Sequence, residues 1–247
     1  MLIAGLGSDS QSWQPIIKDL SQNFLVITFD NRGVGRTKPM DIDLSIQQIA
    51  DDCISLVKHL GFSSINLLGH SMGGFVALDC AIRHPKNISK LILAGTSAYS
   101  SERNNALLLD WVSYQKSGMD LKLWFRNMFY WLFTKQFFKN DKTVTEAINF
   151  ALEYPYPQSD IAFANQVKTI TKYNCLKYLP VITSKTMIIC GKEDLLFPAK
   201  ESIKLLKKIP EAKFSIIENA AHSIFMENPK AFIECVLEFI NDRKYQE

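Results

Sequence analysis

At 247 residues with 47% hydrophobic content, the chain is long enough to bury a full core and short enough for a single α/β domain, with room for an inserted lobe. Its 28 basic and 25 acidic residues give a formal charge of +3 without a dense Lys/Arg block, which argues against nucleic acid as a partner. The start, Met1-Leu2-Ile3-Ala4-Gly5, lacks a basic leader, no stretch approaches about 18 unbroken apolar residues, and Cys53, Cys80, Cys175, Cys190 and Cys235 form no C-x-x-C pair; the expectation is a cytoplasmic protein with reduced thiols and no membrane span.

In chain order, Leu2 to Ala4, Phe24 to Phe29, Ile65 to Leu68, Leu91 to Ala94, Met187 to Cys190 and Phe214 to Ile217 are apolar runs of strand length. Helix-length segments separate most of them. Near-continuous apolar strands alternating with helices predict an α/β fold, a mostly parallel sheet covered on both faces, with chemistry at the carboxyl ends of the strands. The rhythm breaks between Ala94 and Lys185, where helix signals occur without a convincing strand. The expected organisation is a core of residues 1–98 and 180–247 carrying a helical cap at 99–179. Within the cap, Thr143 and Glu146 read as a capping box for a helix to about Glu153, ended by Pro155 and Pro157, and Ser159 can cap another.

The most informative motif is Gly69-His70-Ser71-Met72-Gly73, directly after the run Ile65 to Leu68. It reads as a serine nucleophile on a strand-to-helix turn so tight that side chains two before and two after would collide, hence glycine at both places. Met72 to Arg83, with Phe75, Val76, Leu78 and Ala81 at helical spacing, supplies the helix that follows. An ordinary glycine-rich turn with a bystander serine is the lesser alternative for the pentapeptide, and its partners decide between the two.

A serine hydroxyl needs a base, and the base an orienting acid. Of four histidines, His59 and His84 close helices ahead of Gly61 and Pro85, where imidazole suits the negative end of the dipole. His70 adjoins Ser71, but neighbouring side chains on a sharp turn diverge. His222 lies in a small-residue loop after the last strand run and is the candidate base. The acid should follow another strand, which selects Asp194 of Gly191-Lys192-Glu193-Asp194, with Glu193 and then Glu218 as competitors. The order Ser71, Asp194, His222 is the succession this architecture expects. The oxyanion donors are assigned to the backbone N–H groups of Met72, at a helix start, and Leu6, in the loop Gly5-Leu6-Gly7-Ser8. That loop, with Asp30 ending the next strand run, also imitates a dinucleotide fingerprint, but Ser10 stands where the third glycine belongs.

Collectively these residues resemble the α/β-hydrolase superfamily over nearly the whole chain. Ala4-Gly5-Leu6-Gly7 with Trp13 is similar to the family's oxyanion loop, Asp30-Asn31-Arg32-Gly33-Val34-Gly35-Arg36-Thr37 to its D-x-R-G-x-G-x-S/T segment, Gly69 to Gly74 to its elbow, and Gly191 to Asp194 with Ala221-His222 to its acid and base loops. Small carboxylesterases, such as the methyl esterases of biotin synthesis and the 3-oxoadipate enol-lactonases, are the similar members. The resemblance implies a histidine where Ala4 stands. It also implies a strand hairpin of roughly 20 residues ahead of Leu2; the chain begins inside what should be the third strand, so this N-terminal strand hairpin is missing or lies upstream, and an exposed edge would invite pairing. Asp30 and Arg32 are expected to brace the loop near the oxyanion region.

The cap is aromatic between Trp111 and Phe138, and Trp124, Phe129 and Phe133 are the candidates for an apolar acyl pocket. Lys116, Lys122, Arg126, Lys135, Lys139 and Lys142 outnumber Asp120 and Asp141 there, which suits a solvated face or, as a partner, an acidic acyl carrier protein. The expected activity is hydrolysis of a small-molecule carboxylic ester or lactone by a serine hydrolase needing no cofactor and no metal. A non-catalytic small-molecule binder on the same fold is the alternative class, and an NAD(P)-dependent oxidoreductase a distant third.

Overall fold

The computed structural model describes residues 1–241. Its centre is a five-stranded, wholly parallel sheet in spatial order β1 (Leu2–Ile3), β2 (Ile65–His70), β3 (Ile88–Ala94), β4 (Lys185–Gly191), β5 (Lys213–Ile217). Alternate strand residues feed two separate cores, because successive side chains in a strand point to opposite faces. Leu67, Leu91, Leu93 and Ile188 pack with α2 (Ile46–His59) and α3 (Met72–Arg83) on one face. Leu68, Ile92, Met187 and Ile189 pack on the other with α1 (Gln14–Ser21) and the last helix, Pro229–Ile240, through Ile16, Leu20, Phe232, Val236 and Phe239. Buried on both faces, the strands read as unbroken apolar runs.

Helix α3 shows why the sequence places it so well. Every residue from Met72 to Ala81 is buried, so this helix is apolar nearly all round and sits between the sheet and α2. Between β3 and β4 the chain forms only helices: α4 (Glu102–Lys116), α5 (Leu121–Leu132), α6 (Asp141–Leu152) and α7 (Asp160–Lys172). The remaining helices follow β4 and β5, namely α8 (Ala199–Leu206), α9 (Ile224–Glu227) and α10 (Pro229–Ile240).

Two local expectations are corrected. Phe24 to Phe29 does not form a regular strand. It runs beside β1 with one Leu2–Thr28 bridge and a 2.9 Å bond from Leu2 N–H to the Ile27 carbonyl, because the two-residue β1 offers too short a ladder. Thr143 is not a helix cap either: Asn140 caps α6 by accepting from the N–H groups of Lys142 and Thr143, so the helix starts earlier. Ser159 does cap α7, accepting from Ala162 N–H at 3.1 Å. No helix among the described residues is long and apolar enough to cross a membrane. Four of the five cysteines are buried free thiols, and burial pushes those of Cys175 and Cys190 up to about 11.

Candidate active site

Ser71 sits between β2 and α3 with φ 55° and ψ −120°, a backbone conformation that L residues seldom adopt. The surrounding backbone leaves no alternative. A Cβ on Gly69 would lie 2.2 Å from the Gly73 carbonyl oxygen, and one on Gly73 would lie 2.1 Å from that of Ile3. The first collision is within the turn, whereas the second is with the neighbouring strand β1. Ser71 N–H donates to the Ala94 carbonyl at 3.0 Å, while Thr96 Oγ1 and Gly74 N–H donate to the Ser71 carbonyl at 2.8 and 2.9 Å. Strained dihedrals persist because all these contacts fix them at once.

The end of β5 delivers His222, whose Nε2 is 2.9 Å from Ser71 Oγ. Its Nδ1 is 2.9 Å from Asp194 Oδ2, in the loop after β4. Asp194 Oδ1 accepts from the N–H groups of Leu196 and Phe197 at 2.8 and 2.9 Å. Both His222 and Asp194 are 3% exposed. Burial alone would raise the Asp194 carboxyl, yet His222 and the two backbone donors hold it below the usual carboxylate range. Its two competitors are engaged elsewhere: Glu218 pairs with Lys192 at 2.8 Å, and Glu193 has, among the described residues, a backbone bond to Ala220 and no side-chain hydrogen bond. The loops that carry Asp194 and His222 meet at Gly191, where a Cβ would lie 2.1 Å from the Ala221 carbonyl oxygen.

Leu6 and Met72 both line the cavity that Ser71 faces, and the Gly5 Cβ position is 3.0 Å from Ser71 Cβ. Met72 is the first residue of α3, where N–H groups lack intrahelical partners. Among the described residues, neither Leu6 N–H nor Met72 N–H donates to another backbone carbonyl. Asp30 braces the chain that follows the Gly5-Leu6-Gly7-Ser8 loop, accepting from Ser10 N–H at 3.0 Å and from Arg36. Arg32 does not join it. It pairs with Asp52, and so ties its loop to α2.

Several residues at this site escaped the sequence reading. His70 turns away from the hydroxyl, as expected, but its Nε2 donates to the His222 carbonyl at 2.8 Å, making it the neutral tautomer with hydrogen on Nε2. Burial, with the neighbouring His222, lowers its pKa to about 3. Glu227 accepts from Ala221 N–H at 2.7 Å and from Thr134 N–H at 2.8 Å, binding the histidine loop to the end of α5. Gln166, fully buried in α7, accepts from Gly7 N–H at 3.0 Å and from Gln158 Nε2 at 3.0 Å; Gln158 also donates to the Gly33 carbonyl at 2.6 Å. The inserted helix α7 thus holds the Gly5-Leu6-Gly7-Ser8 loop directly. Only the H-x-x-x-x-E spacing of His222 and Glu227 lay within one motif; the glutamines are distant in sequence and carried no signal.

A cavity of about 780 Å³ opens over Ser71 and His222, beneath the inserted helices. Trp124, Phe129 and Phe133 all line it, with Trp111 and Phe125; Tyr130, Trp131, Phe137 and Phe138 do not and pack elsewhere or face solvent. The described residues contain no group of three or more His, Cys, Asp or Glu side chains able to hold a metal ion.

Comparison with known proteins agrees with this geometry. The profile of the family described as "alpha/beta hydrolase fold" matches residues 1–229. A protein named "Putative carbamate hydrolase RutD" from Agrobacterium fabrum is 24% identical over 242 residues, spanning 97% of this chain and 92% of its own. Among solved structures, the enol-lactonase from Burkholderia xenovorans LB400 superposes with a TM-score of 0.87 at 22% identity, covering 97% of this chain and 90% of that one. A thermophilic esterase from Thermogutta terrifontis gives 0.85 at 24% identity, covering 98% and 88%.

Proposed function

The chain belongs to the α/β-hydrolase fold family, and from that membership and the geometry of its site we propose that it is a serine hydrolase cleaving a carboxylic ester or lactone through an acyl-enzyme. One observation carries this reading: the unbroken chain of 2.9 Å contacts from Ser71 Oγ through His222 to the buried Asp194. His222 Nδ1 carries its proton toward the ionised Asp194, which leaves Nε2 free to accept the proton of Ser71. As Oγ bonds to the substrate carbonyl carbon, the electron pair of the carbonyl moves to oxygen, where the N–H groups of Leu6 and Met72 receive the oxyanion. His222 returns its proton to the departing alkoxide. Water, deprotonated by the same imidazole, then attacks the acyl-enzyme and frees the acid and Ser71.

Carbamate hydrolysis, which the relative's name states for that protein, would use the same attack on a carbonyl. The apolar walls of the cavity favour an ester with an apolar acyl group, since a small polar substrate would leave most of that surface unfilled. The test is labelling by a fluorophosphonate combined with Ser71→Ala. The wild type should label and hydrolyse nitrophenyl esters, and the variant should keep its fold while losing about 10⁴- to 10⁶-fold in turnover. A folded wild-type protein that neither labels nor hydrolyses would return the chain to the class of binding proteins.

A further inference from the structure

We propose that the acyl group this site takes is an extended, unbranched apolar chain of about ten to twelve carbons, laid along the face that α4 and α5, joined by a 3.0 Å bond from Trp124 Nε1 to the Trp111 carbonyl, together turn to the cavity; this rests on the hydrolase reading above. Five residues of α4 and the loop before it face the cavity, Ser100, Asn104, Leu108, Trp111 and Gln115, and their spacing of four, four, three and four places them on one stripe of the helix. Helix α5 contributes a second stripe, Leu121, Trp124, Phe125, Met128, Phe129 and Leu132. The cavity therefore runs along both helices and is not confined to the space above Ser71.

The near end of each helix is fixed by a hydrogen bond. Asn104 Nδ2 donates to the Leu196 carbonyl at 2.7 Å, next to the turn that holds Asp194. The Leu132 carbonyl accepts from Ser223 N–H at 2.9 Å, beside His222. The start of α4 and the end of α5 thus lie at the serine, and the helices run antiparallel away from it to the turn around Gly118. Taking about 1.5 Å per residue, Asn104 to Gln115 and Leu121 to Leu132 each span about 16 Å. An extended hydrocarbon advances about 1.3 Å per bond, so twelve bonds or so fill that length.

The wall changes character at the far end. Between Asn104 and Gln115 the α4 stripe is Leu108 and Trp111, whereas Gln115 presents a buried Oε1 with no hydrogen-bond partner among the described residues. Methylenes extending past Trp111 gain apolar contact, and those reaching Gln115 press on an amide oxygen that needs a donor. The same side chain that ends the apolar stripe sets the longest chain the site accepts with profit. The opposite mouth of the cavity is lined by Asp9, Gln11, Gln14, Tyr154 and Tyr156. That polar rim suits the departing alcohol, which must leave to solvent.

The experiment is a series of nitrophenyl esters from acetyl to hexadecanoyl, below their micellar concentrations, on the wild type, Leu108→Trp and Gln115→Leu. In the wild type, kcat/KM should climb by up to about fourfold per added methylene and peak at decanoyl to dodecanoyl, then fall. Leu108→Trp, which blocks the lobe midway, should lower the decanoyl-to-acetyl ratio at least tenfold; Gln115→Leu should move the peak to longer chains. A wild-type profile that peaks at acetyl or butyryl overturns the proposal even if Leu108→Trp does not fold, and so does a decanoyl-to-acetyl ratio that Leu108→Trp leaves intact. Failure to cleave any ester, with no fluorophosphonate label on Ser71, removes the hydrolase reading itself and is distinguishable from an active enzyme with the wrong length preference.

Discussion

The loops at the strand ends and the helices inserted above them are built by different means. Around Ser71 the backbone meets backbone: a Cβ on Gly69 would lie 2.2 Å from a carbonyl oxygen of its own turn, and Cβ atoms on Gly73 and Gly191 would each lie 2.1 Å from carbonyl oxygens of other segments. No side chain fits, so residue identity is dictated by geometry. In the insertion the cavity wall is made of side chains such as Leu108, Trp124 and Phe133, while the outer faces expose Leu109 and Leu123 at 55 and 60%. Apolar groups of similar size can exchange there. The difference teaches that the chemistry of this site tolerates almost no change, whereas its substrate preference is adjustable by ordinary repacking.

The sharpest way to break that contrast is a pair of substitutions. Gly73→Ala, which drives a methyl into the Ile3 carbonyl, should destabilise by about 3 kcal/mol or more. Phe133→Leu in the half-buried cavity wall should stay within about 1.5 kcal/mol. Calorimetry decides, with about 2 to 4 °C of melting temperature per kcal/mol at this size; equal effects would show the two regions to be equally plastic. A smaller effect tests the seam between them. Gln166→Met removes the acceptor of Gly7 N–H, and kcat should drop roughly tenfold with KM nearly unchanged, less than the loss of an oxyanion donor itself. A drop in KM-type binding alone would place Gln166 in the packing and not in the positioning of the loop.

The third prediction concerns His70, on the core side. Its folded pKa of about 3 lies below the ordinary histidine value near 6.5, so the unfolded chain binds a proton that the folded chain refuses. Stability from this group is complete above about pH 6.5 and declines as the pH falls toward 3, by at most about 1.4 kcal/mol per pH unit. His70→Gln keeps a donor for the His222 carbonyl and does not titrate, so melting curves between pH 5 and 7 should become flatter by about that amount. An unchanged slope would mean that His70 takes its proton within the fold. The smallest effect is expected on the outer face of the insertion. Exposed Lys135, Lys139 and Lys142 changed together to Gln should leave free-ester turnover within about twofold. Salt-sensitive hydrolysis of a carrier-bound acyl ester, lost in this triple variant, would instead mark them as the docking face of an acyl carrier protein.

How much could be read beforehand follows the same division. The helix Met72–Arg83 was legible to the residue because a fully buried helix leaves an apolar record at every turn. Asp194 could be preferred to Glu193 and Glu218 only through chain order and loop position, since an acidic loop residue carries no mark of where it points. Phe24 to Phe29 looks like any other strand, and its failure to pair regularly depends on the length of its neighbour, which composition does not record. At Thr143 the capping-box pattern lost to Asn140, three residues earlier, because two competing caps differ by less than the packing of α6 against α5.

By itself the sequence determined the parallel sheet, the tight turn at Ser71 and the candidates for base and acid, because each follows from rules acting within a few residues: alternation, helical period, and the absence of a Cβ where backbones touch. Tertiary structure alone decided that Gln166 and Glu227 bind the inserted helices to the loops around Ser71 and His222, that His70 supports His222 through its carbonyl, and that α4 and α5 wall a cavity opening over Ser71. Those contacts join residues as far as 159 positions apart, and no local preference encodes which distant partner will complete a hydrogen bond or a wall.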